Sequence, residues 1–88
     1  MKNTSMIDLM DVETMTMNVL GDYKVSSKLR YEYGNYIIYL LAYPEYMGGG
    51  YHIEAYTGFG EYVCQISKNA ASAFCKALAD YLESKKKA

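Results

Sequence analysis

The residues best suited to chemistry in this 88-residue chain are a histidine, a glutamate and a tyrosine spaced two residues apart. His52, the only histidine, is followed by Glu54 and Tyr56, and a β-strand would place all three side chains on one face. An imidazole beside a carboxylate and a phenol is an arrangement suited to general acid–base catalysis. The sequence offers no accompanying nucleophile, oxyanion loop or cofactor motif. We therefore interpret the three residues as part of a surface and predict no enzymatic activity.

A metal site is also disfavoured. Cys64 and Cys75 are the only cysteines, and with His52 they supply three of the four ligands of a structural zinc site. The strand pairing derived below places His52 and Cys64 on opposite faces of a sheet. We expect two buried free thiols, no disulfide scaffold, no metal and no cofactor.

Tyrosine is concentrated around one loop. The stretch YPEYMGGGY, residues 43–51, holds the only proline, three of the seven glycines and three of the eleven tyrosines. Its glycines lack the lysine and the following Ser or Thr of a phosphate-binding loop, so we interpret them as a flexible connection between two hairpins. Tyrosine offers a large contact area and a hydroxyl at little cost in side-chain entropy. The stretch therefore indicates a binding surface.

Length and composition indicate one folded domain over residues 1–88. The longest strongly apolar stretch, residues 37–42, is far shorter than the roughly 18 residues of a membrane span. The N-terminus lacks the apolar core of a secretion signal, so we expect a cytoplasmic protein without a membrane partner. The net charge is −1, and the lysines gather near the C-terminus instead of forming the basic stripe of a nucleic-acid binder.

The first hairpin is predicted from alternation and turn chemistry. Apolar and charged residues alternate from residue 24 to residue 33, and Gly34-Asn35 suits a two-residue turn. That turn sets one inward-facing row of pairs: Tyr33 with Tyr36, Tyr31 with Ile38, Leu29 with Leu40, and Ser27 with Ala42. The opposite face then carries Ile37, Tyr39, Leu41 and Tyr43.

A second hairpin is predicted around Gly58-Phe59, because glycine at the first loop position favours a type II′ turn. The resulting pairs are Thr57 with Gly60, Ala55 with Tyr62, Ile53 with Cys64, and Tyr51 with Ile66. This register turns His52, Glu54, Tyr56 and Val63 outward.

The sequence predicts the secondary structure of the C-terminal segment more clearly than that of the N-terminal segment. Ser67 is predicted to cap a helix over residues 67–85, with one apolar stripe formed by Ala71, Phe74, Cys75, Leu78 and Leu82. In the N-terminal segment, residues 1–20, Ser5 and Asp8 favour a short helix through Met10. The alternation of Met15, Met17 and Val19 favours a strand after it.

The predicted fold is α+β: a four- to five-stranded antiparallel meander over residues 24–66 with the C-terminal helix packed on one face. The other face then carries an aromatic patch at which we place a partner. Its predicted contact residues are Tyr39, Tyr43, Tyr46, Met47, His52, Glu54 and Tyr56. Exposed apolar patches commonly mark partner sites. Two alternatives stay open: the N-terminal segment covers this face, or tyrosine serves only as a good strand former.

In size and layout the chain resembles the small bacteriophage-encoded anti-defence proteins, anti-CRISPR inhibitors among them. The resemblance is carried by YEYGNYIIYLLAY, then YHIEAYTGFGEYV, then a single terminal helix. These families share no signature, so none of their functional residues is assigned to this chain. The resemblance implies a viral protein that acts as a stoichiometric inhibitor by occupying a surface of a bacterial complex in the host cytoplasm.

The function predicted from the sequence is thus a non-enzymatic protein-binding module, in its most specific form an inhibitor of a bacterial defence complex. Two alternatives belong to other classes. An aromatic sheet face can stack the bases of single-stranded nucleic acid, although the basic surround is thin here. The chain can also self-associate as a homodimer through the outer face or an open edge strand.

Overall fold

A computed structural model describes residues 5–25 and 28–86. Its helices and strands are β1 (Met6–Asp8), α1 (Leu9–Leu20), β2 (Leu29–Tyr33), β3 (Tyr36–Ala42), a short 3-10 helix (Glu45–Met47), β4 (Tyr51–Thr57), β5 (Tyr62–Val63), β6 (Gln65–Ser67) and α2 (Lys68–Lys86). Strands β2 to β5 form a four-stranded antiparallel sheet in sequence order, and β1 pairs with β6 in a separate two-stranded sheet. The predicted α+β class and the antiparallel meander are confirmed.

The first hairpin has the predicted register. Tyr33 lies opposite Tyr36, Tyr31 opposite Ile38, and Leu29 opposite Leu40. Gly34 takes a φ of 56°, a conformation that side chains disfavour and this turn requires. The fourth predicted pair involves Ser27, which lies outside the described residues.

Strand β2 begins at Leu29 and not at residue 24 as predicted. The backbone N–H of Val25 donates to the hydroxyl of Tyr51 at 2.9 Å, so this part of the chain is bound by a side chain from β4 and not by a strand partner. Alternation alone does not distinguish the two kinds of attachment.

The second hairpin differs from the prediction by one residue. Ala55 pairs with Val63 and Tyr56 with Tyr62, because the loop contains three residues and not two. Thr57 N–H donates to the Glu61 carbonyl at 2.8 Å, and Gly60 adopts a φ of 89°. A three-residue loop with a left-handed glycine is the common alternative to a two-residue turn.

This slip reverses the faces of β5, as a one-residue shift must. Val63, predicted to face outward, packs against the core, while Tyr62 is 56% exposed. The predicted pairs of Cys64 with Ile53 and of Ile66 with Tyr51 do not form. The chain bends at Cys64, and Ile66 pairs with Ile7 of β1 instead.

The N-terminal strand prediction was wrong. Strand β1 (Met6–Asp8) occupies most of the predicted short helix, and helix α1 replaces the strand expected after Met10. Its buried residues recur at helical spacing: Leu9, Val12, Thr16 and Leu20. Thr16 breaks the apolar pattern in the sequence, yet its hydroxyl donates to the Val12 carbonyl at 2.7 Å and so is satisfied inside the core.

Helix α2 matches the prediction closely. It begins at Lys68, after Ser67, whose Oγ accepts a hydrogen bond from the Ala70 N–H at 3.1 Å. The buried stripe consists of Ala70, Ala71, Phe74, Leu78 and Leu82, and Cys75 at its margin is partly buried.

Both helices pack on the same face of the four-stranded sheet. Ile38, Leu40, Ile53 and Ala55 point into the core that the helices cover. Helix α1 lies against β4 and helix α2 against β2. The predicted packing of the C-terminal helix on one face is confirmed, and α1 shares that face with it. No helix within the described ranges is long and apolar enough to span a membrane.

Adjacent leucines on β3 test which face is buried. Leu40 is fully buried on the helix side, whereas Leu41 lies half-buried on the other face. Leu40→Ala is expected to lower the free energy of unfolding by about 2–5 kcal/mol. The matched variant Leu41→Ala should cost only about 1 kcal/mol. Urea denaturation of both variants measures the difference. Equal losses, or a larger loss for Leu41→Ala, would show that the strand faces are assigned wrongly.

Candidate functional site

The face of the sheet opposite the helices carries the candidate site. Strands β3 and β4 are neighbours, as the predicted aromatic patch requires, with Tyr39 opposite Glu54 and Leu41 opposite His52. Neither helix covers this face, so within the described part of the chain the N-terminal segment does not bury it. We use the name tyrosine face for six of its residues: Tyr39, Tyr43, His52, Glu54, Tyr56 and Tyr62.

The aromatic rings of the tyrosine face contact one another in one row of three tyrosines and one separate pair. Tyr39 meets Tyr56 edge to face with ring centroids 5.8 Å apart, and Tyr56 meets Tyr62 in the same way at 5.7 Å. Tyr43 stacks on the imidazole of His52 at 6.0 Å with an angle of 18° between the rings. Such pairs contribute about 0.5–1.5 kcal/mol each beyond their buried area. These contacts order the rings in the free protein.

Polar contacts follow β4 on the same face as the rings. The Oε2 atom of Glu13, from α1, lies 2.7 Å from Nδ1 of His52, and Nε2 of His52 lies 3.9 Å from Oε2 of Glu54. The hydroxyl of Tyr56 donates to the other oxygen of Glu54 at 2.8 Å. Of the three residues that the sequence suggested for acid–base chemistry, Tyr56 is thus bonded to Glu54, whereas His52 contacts Glu13 and lies near Glu54.

Glu13 has a structural task as well. Strand β5 pairs with β4 only at Ala55 and Tyr56, so no described strand pairs with the beginning of β4 on that side. There the Ile53 N–H donates to Oε2 of Glu13 at 3.0 Å. Glu13 was not among the predicted site residues, because a contact across 40 residues leaves no local pattern in the sequence. Tyr62 was missed because of the one-residue register error.

The charges around the tyrosine face are mixed. The hydrogen bond to Glu54 raises the pKa of the Tyr56 phenol, and burial adds to the effect, so this hydroxyl stays a donor. The ammonium of Lys28 lies 4.8 Å from the centre of the Tyr39 ring, in a cation–π contact. Arg30 lies opposite Tyr39 on β2 and pairs with Glu32 at 2.6 Å.

Two predicted site residues stand apart from this network. Tyr46 and Met47 lie in the 3-10 helix beyond Tyr43, where they are 87% and 60% exposed, and the ring pairs found among the described residues do not include Tyr46. The glycines after them have a conformational role: Gly48, Gly49 and Gly50 have φ values of 105°, 67° and 84°. Side chains rarely adopt this left-handed conformation.

The cysteines are placed differently from the prediction. Cys64 is exposed because the chain bends there between β5 and β6, and Cys75 is partly buried. Burial raises the pKa of the Cys75 thiol. Cys64 borders a shallow depression that His52 and Glu13 also line. Within residues 5–25 and 28–86, no three His, Cys, Asp or Glu side chains lie close enough together to hold a metal ion.

Replacing Glu54 is expected to change the titration of Tyr56. In Glu54→Gln the accepting carboxylate is gone, so the pKa of the Tyr56 phenol should fall toward its ordinary value. In the wild type the raised pKa means that this bond stabilises the fold fully below the unfolded pKa of about 10, and that this contribution is lost as pH rises through the folded-state pKa.

Carbon-13 NMR of the tyrosine rings during a pH titration measures this change. Glu83→Gln, on the exposed side of α2, is the matched control and should leave the Tyr56 titration as it is. An unchanged pKa of Tyr56 in Glu54→Gln would contradict the hydrogen bond.

Comparison with known proteins adds no family to this description: no protein-family model, no curated protein and no solved structure matches the chain. The function has to be inferred from the geometry of the tyrosine face itself.

Proposed function

We propose that this protein is a non-enzymatic protein-binding module and that the tyrosine face is its contact surface. One observation supports this most: both helices cover the same side of the sheet, and the side left open carries rings that are already packed against one another. A sheet face left open to water is usually polar. An open sheet face that carries aromatic side chains is instead suited to contact with a partner protein.

Preformed ring contacts favour tight association. Binding normally costs about 0.5–1.5 kcal/mol for each side chain that must be immobilised. Tyr56 is held by two neighbouring rings and by its hydrogen bond to Glu54, so little of that cost remains for it. Tyr43 and Tyr62, which are 39% and 56% exposed, offer the surface that a partner would cover. Tyr46 and Met47 supply a protruding rim.

The charges favour a protein over a nucleic acid. Glu54 lies between the rings, and Glu13 lies beside His52, so a phosphate backbone would meet carboxylates at the centre of the face. Arg30 is already paired with Glu32. A nucleic-acid binder instead surrounds its stacking residues with basic side chains. A protein surface with its own hydroxyls, amides and basic groups fits this mixed pattern.

The same contacts argue for a binding role of His52. Its Nδ1 atom is held by Glu13, its Nε2 atom faces Glu54, and Tyr43 stacks on its ring. The hydroxyl of Tyr56 is likewise committed to Glu54. These side chains are occupied with one another, as expected for a rigid contact surface.

The more specific proposal follows from the resemblance to phage anti-defence proteins. In it the chain is a stoichiometric inhibitor that covers a surface of a bacterial defence complex in the host cytoplasm. A small rigid face suits this role, because inhibition by occupation needs a fitted surface and no turnover.

Affinity capture from bacterial lysate tests the proposal. The variant Tyr39→Ala/Tyr43→Ala/Tyr56→Ala removes the centre of the tyrosine face, and it should weaken binding of the captured complex about a hundredfold or more, as expected when hot-spot residues are lost. Phe59→Ala is the matched control, because Phe59 is 95% exposed at the tip of the second hairpin, outside the tyrosine face. It should capture the same complex as the wild type.

Three results would count against the proposal. In the first, the folded triple variant captures the same complex as the wild type, which would show that the binding site lies on another surface. The captured material is nucleic acid whose binding weakens steeply with salt, which favours the stacking alternative. For the inhibitor version, expression in bacteria with an active defence system fails to restore phage growth although the captured complex belongs to that system.

A further inference from the structure

We propose a second interaction surface: the open edge of β2, which pairs with the same edge of a second copy of this chain. The inference goes beyond the proposed function, because it concerns the edge of the sheet and not its tyrosine face. The two copies would join antiparallel about a two-fold axis, with Tyr31 opposite Tyr31 and Arg30 opposite Glu32 of the second copy.

The two edges of the four-stranded sheet are treated differently. On the side of β4 and β5, two backbone groups have partners. The Ile53 N–H donates to Glu13, and the Leu9 N–H donates to the Cys64 carbonyl, just after β5, at 2.9 Å. On the β2 side, no hydrogen bond among the described residues reaches the outer edge of the strand. An unpaired edge strand is a template for another strand.

The hairpin fixes which backbone groups point outward. Tyr33 and Tyr36 flank a two-residue turn, so they form a hydrogen-bonded pair, and so do Tyr31 and Leu29 with their partners on β3. The N–H and C=O groups of Arg30 and Glu32 therefore face the open edge. A second strand must align its own outward-facing residues with these two.

Charge selects one register. Aligning Arg30 with Arg30, or Glu32 with Glu32, would place like charges directly opposite, which destabilises a strand pair. Aligning Arg30 with Glu32 of the second copy places opposite charges at both positions related by the two-fold axis. Within one chain these side chains already pair at 2.6 Å on the outer face. In the dimer, Arg30 and Glu32 of both copies would form a group of four charges in which each charge has opposite charges as neighbours.

The other face of β2 offers apolar contact in the same register. An apolar groove of about 180 Å³ lies between β2 and α2, lined by Leu29, Tyr31, Phe74, Ala77, Leu78 and Tyr81. Tyr33, which is 37% exposed, would lie opposite Leu29 of the second copy, beside this groove. A two-fold interface requires one self-complementary patch. The edge of β2 has such a patch, because its charges pair with each other across the axis and its apolar side chains do the same.

Sedimentation analysis over a range of concentrations tests the dimer by reversing charges. Arg30→Glu alone and Glu32→Arg alone each create two like-charge pairs, so each should weaken dimerisation about tenfold or more. The double variant Arg30→Glu/Glu32→Arg restores opposite charges and should restore dimerisation. Because the double variant also restores the Arg30–Glu32 pair within one chain, circular dichroism of each single variant must show separately that the chain stays folded.

Hydrogen exchange provides a second readout with an internal control. Protection of the Arg30 and Glu32 amides should rise with protein concentration, whereas the Tyr31 amide, bonded to β3, should be protected throughout. The triple tyrosine variant should still dimerise, which separates this inference from the proposed function. The inference is overturned by a chain that stays monomeric at every concentration, by a dimer indifferent to the single reversals, or by Arg30 and Glu32 amides that gain no protection.

Discussion

The contact on which the rest of the structure depends is the carboxylate of Glu13 at the edge of β4. It accepts the Ile53 N–H at 3.0 Å and lies 2.7 Å from His52 Nδ1. A backbone amide left without a partner at a partly buried edge costs about 1–3 kcal/mol, so this carboxylate ties α1, whose buried residues pack in the core, to the edge of β4. Helix α1 thereby closes one edge of the sheet and stays on the side of α2.

Two surfaces remain open as a consequence of that placement. The outer sheet face has no covering layer within the described residues, and its rings pack on one another, as in the pairs of Tyr56 with Tyr39 and with Tyr62. Among residues 5–25 and 28–86, none pairs with the outer edge of β2, which carries opposite charges at Arg30 and Glu32. A small chain that needs both helices on one face to build a core leaves the other face uncovered within the described residues.

Local patterns predicted the elements that local interactions determine. Gly34-Asn35 gave the register of the first hairpin correctly, and Ser67 gave the start of α2. The sequence did not reveal the three-residue loop at Gly58–Gly60, because glycine at both ends suits either loop length. It also hid α1, since Thr16 interrupts the apolar stripe and is satisfied only once the helix forms. Glu13 belongs to the site because α1 packs beside β4, and Tyr62 belongs to it because of the three-residue loop. Strand alternation alone predicted four other residues of the site: Tyr39, His52, Glu54 and Tyr56.

The central claim is that the tyrosine face is open to a partner in the complete chain. NMR relaxation of aromatic ring protons by a soluble paramagnetic probe measures this directly, and two phenylalanines calibrate it: Phe59 is 95% exposed and Phe74 only 3%. We predict that the relaxation of Tyr43 and Tyr62, which are 39% and 56% exposed, lies about midway between the two phenylalanines, and that the relaxation of Tyr39 and Tyr56 lies clearly above that of Phe74. If Tyr39 and Tyr56 are as protected as Phe74, the face is covered and the claim is wrong.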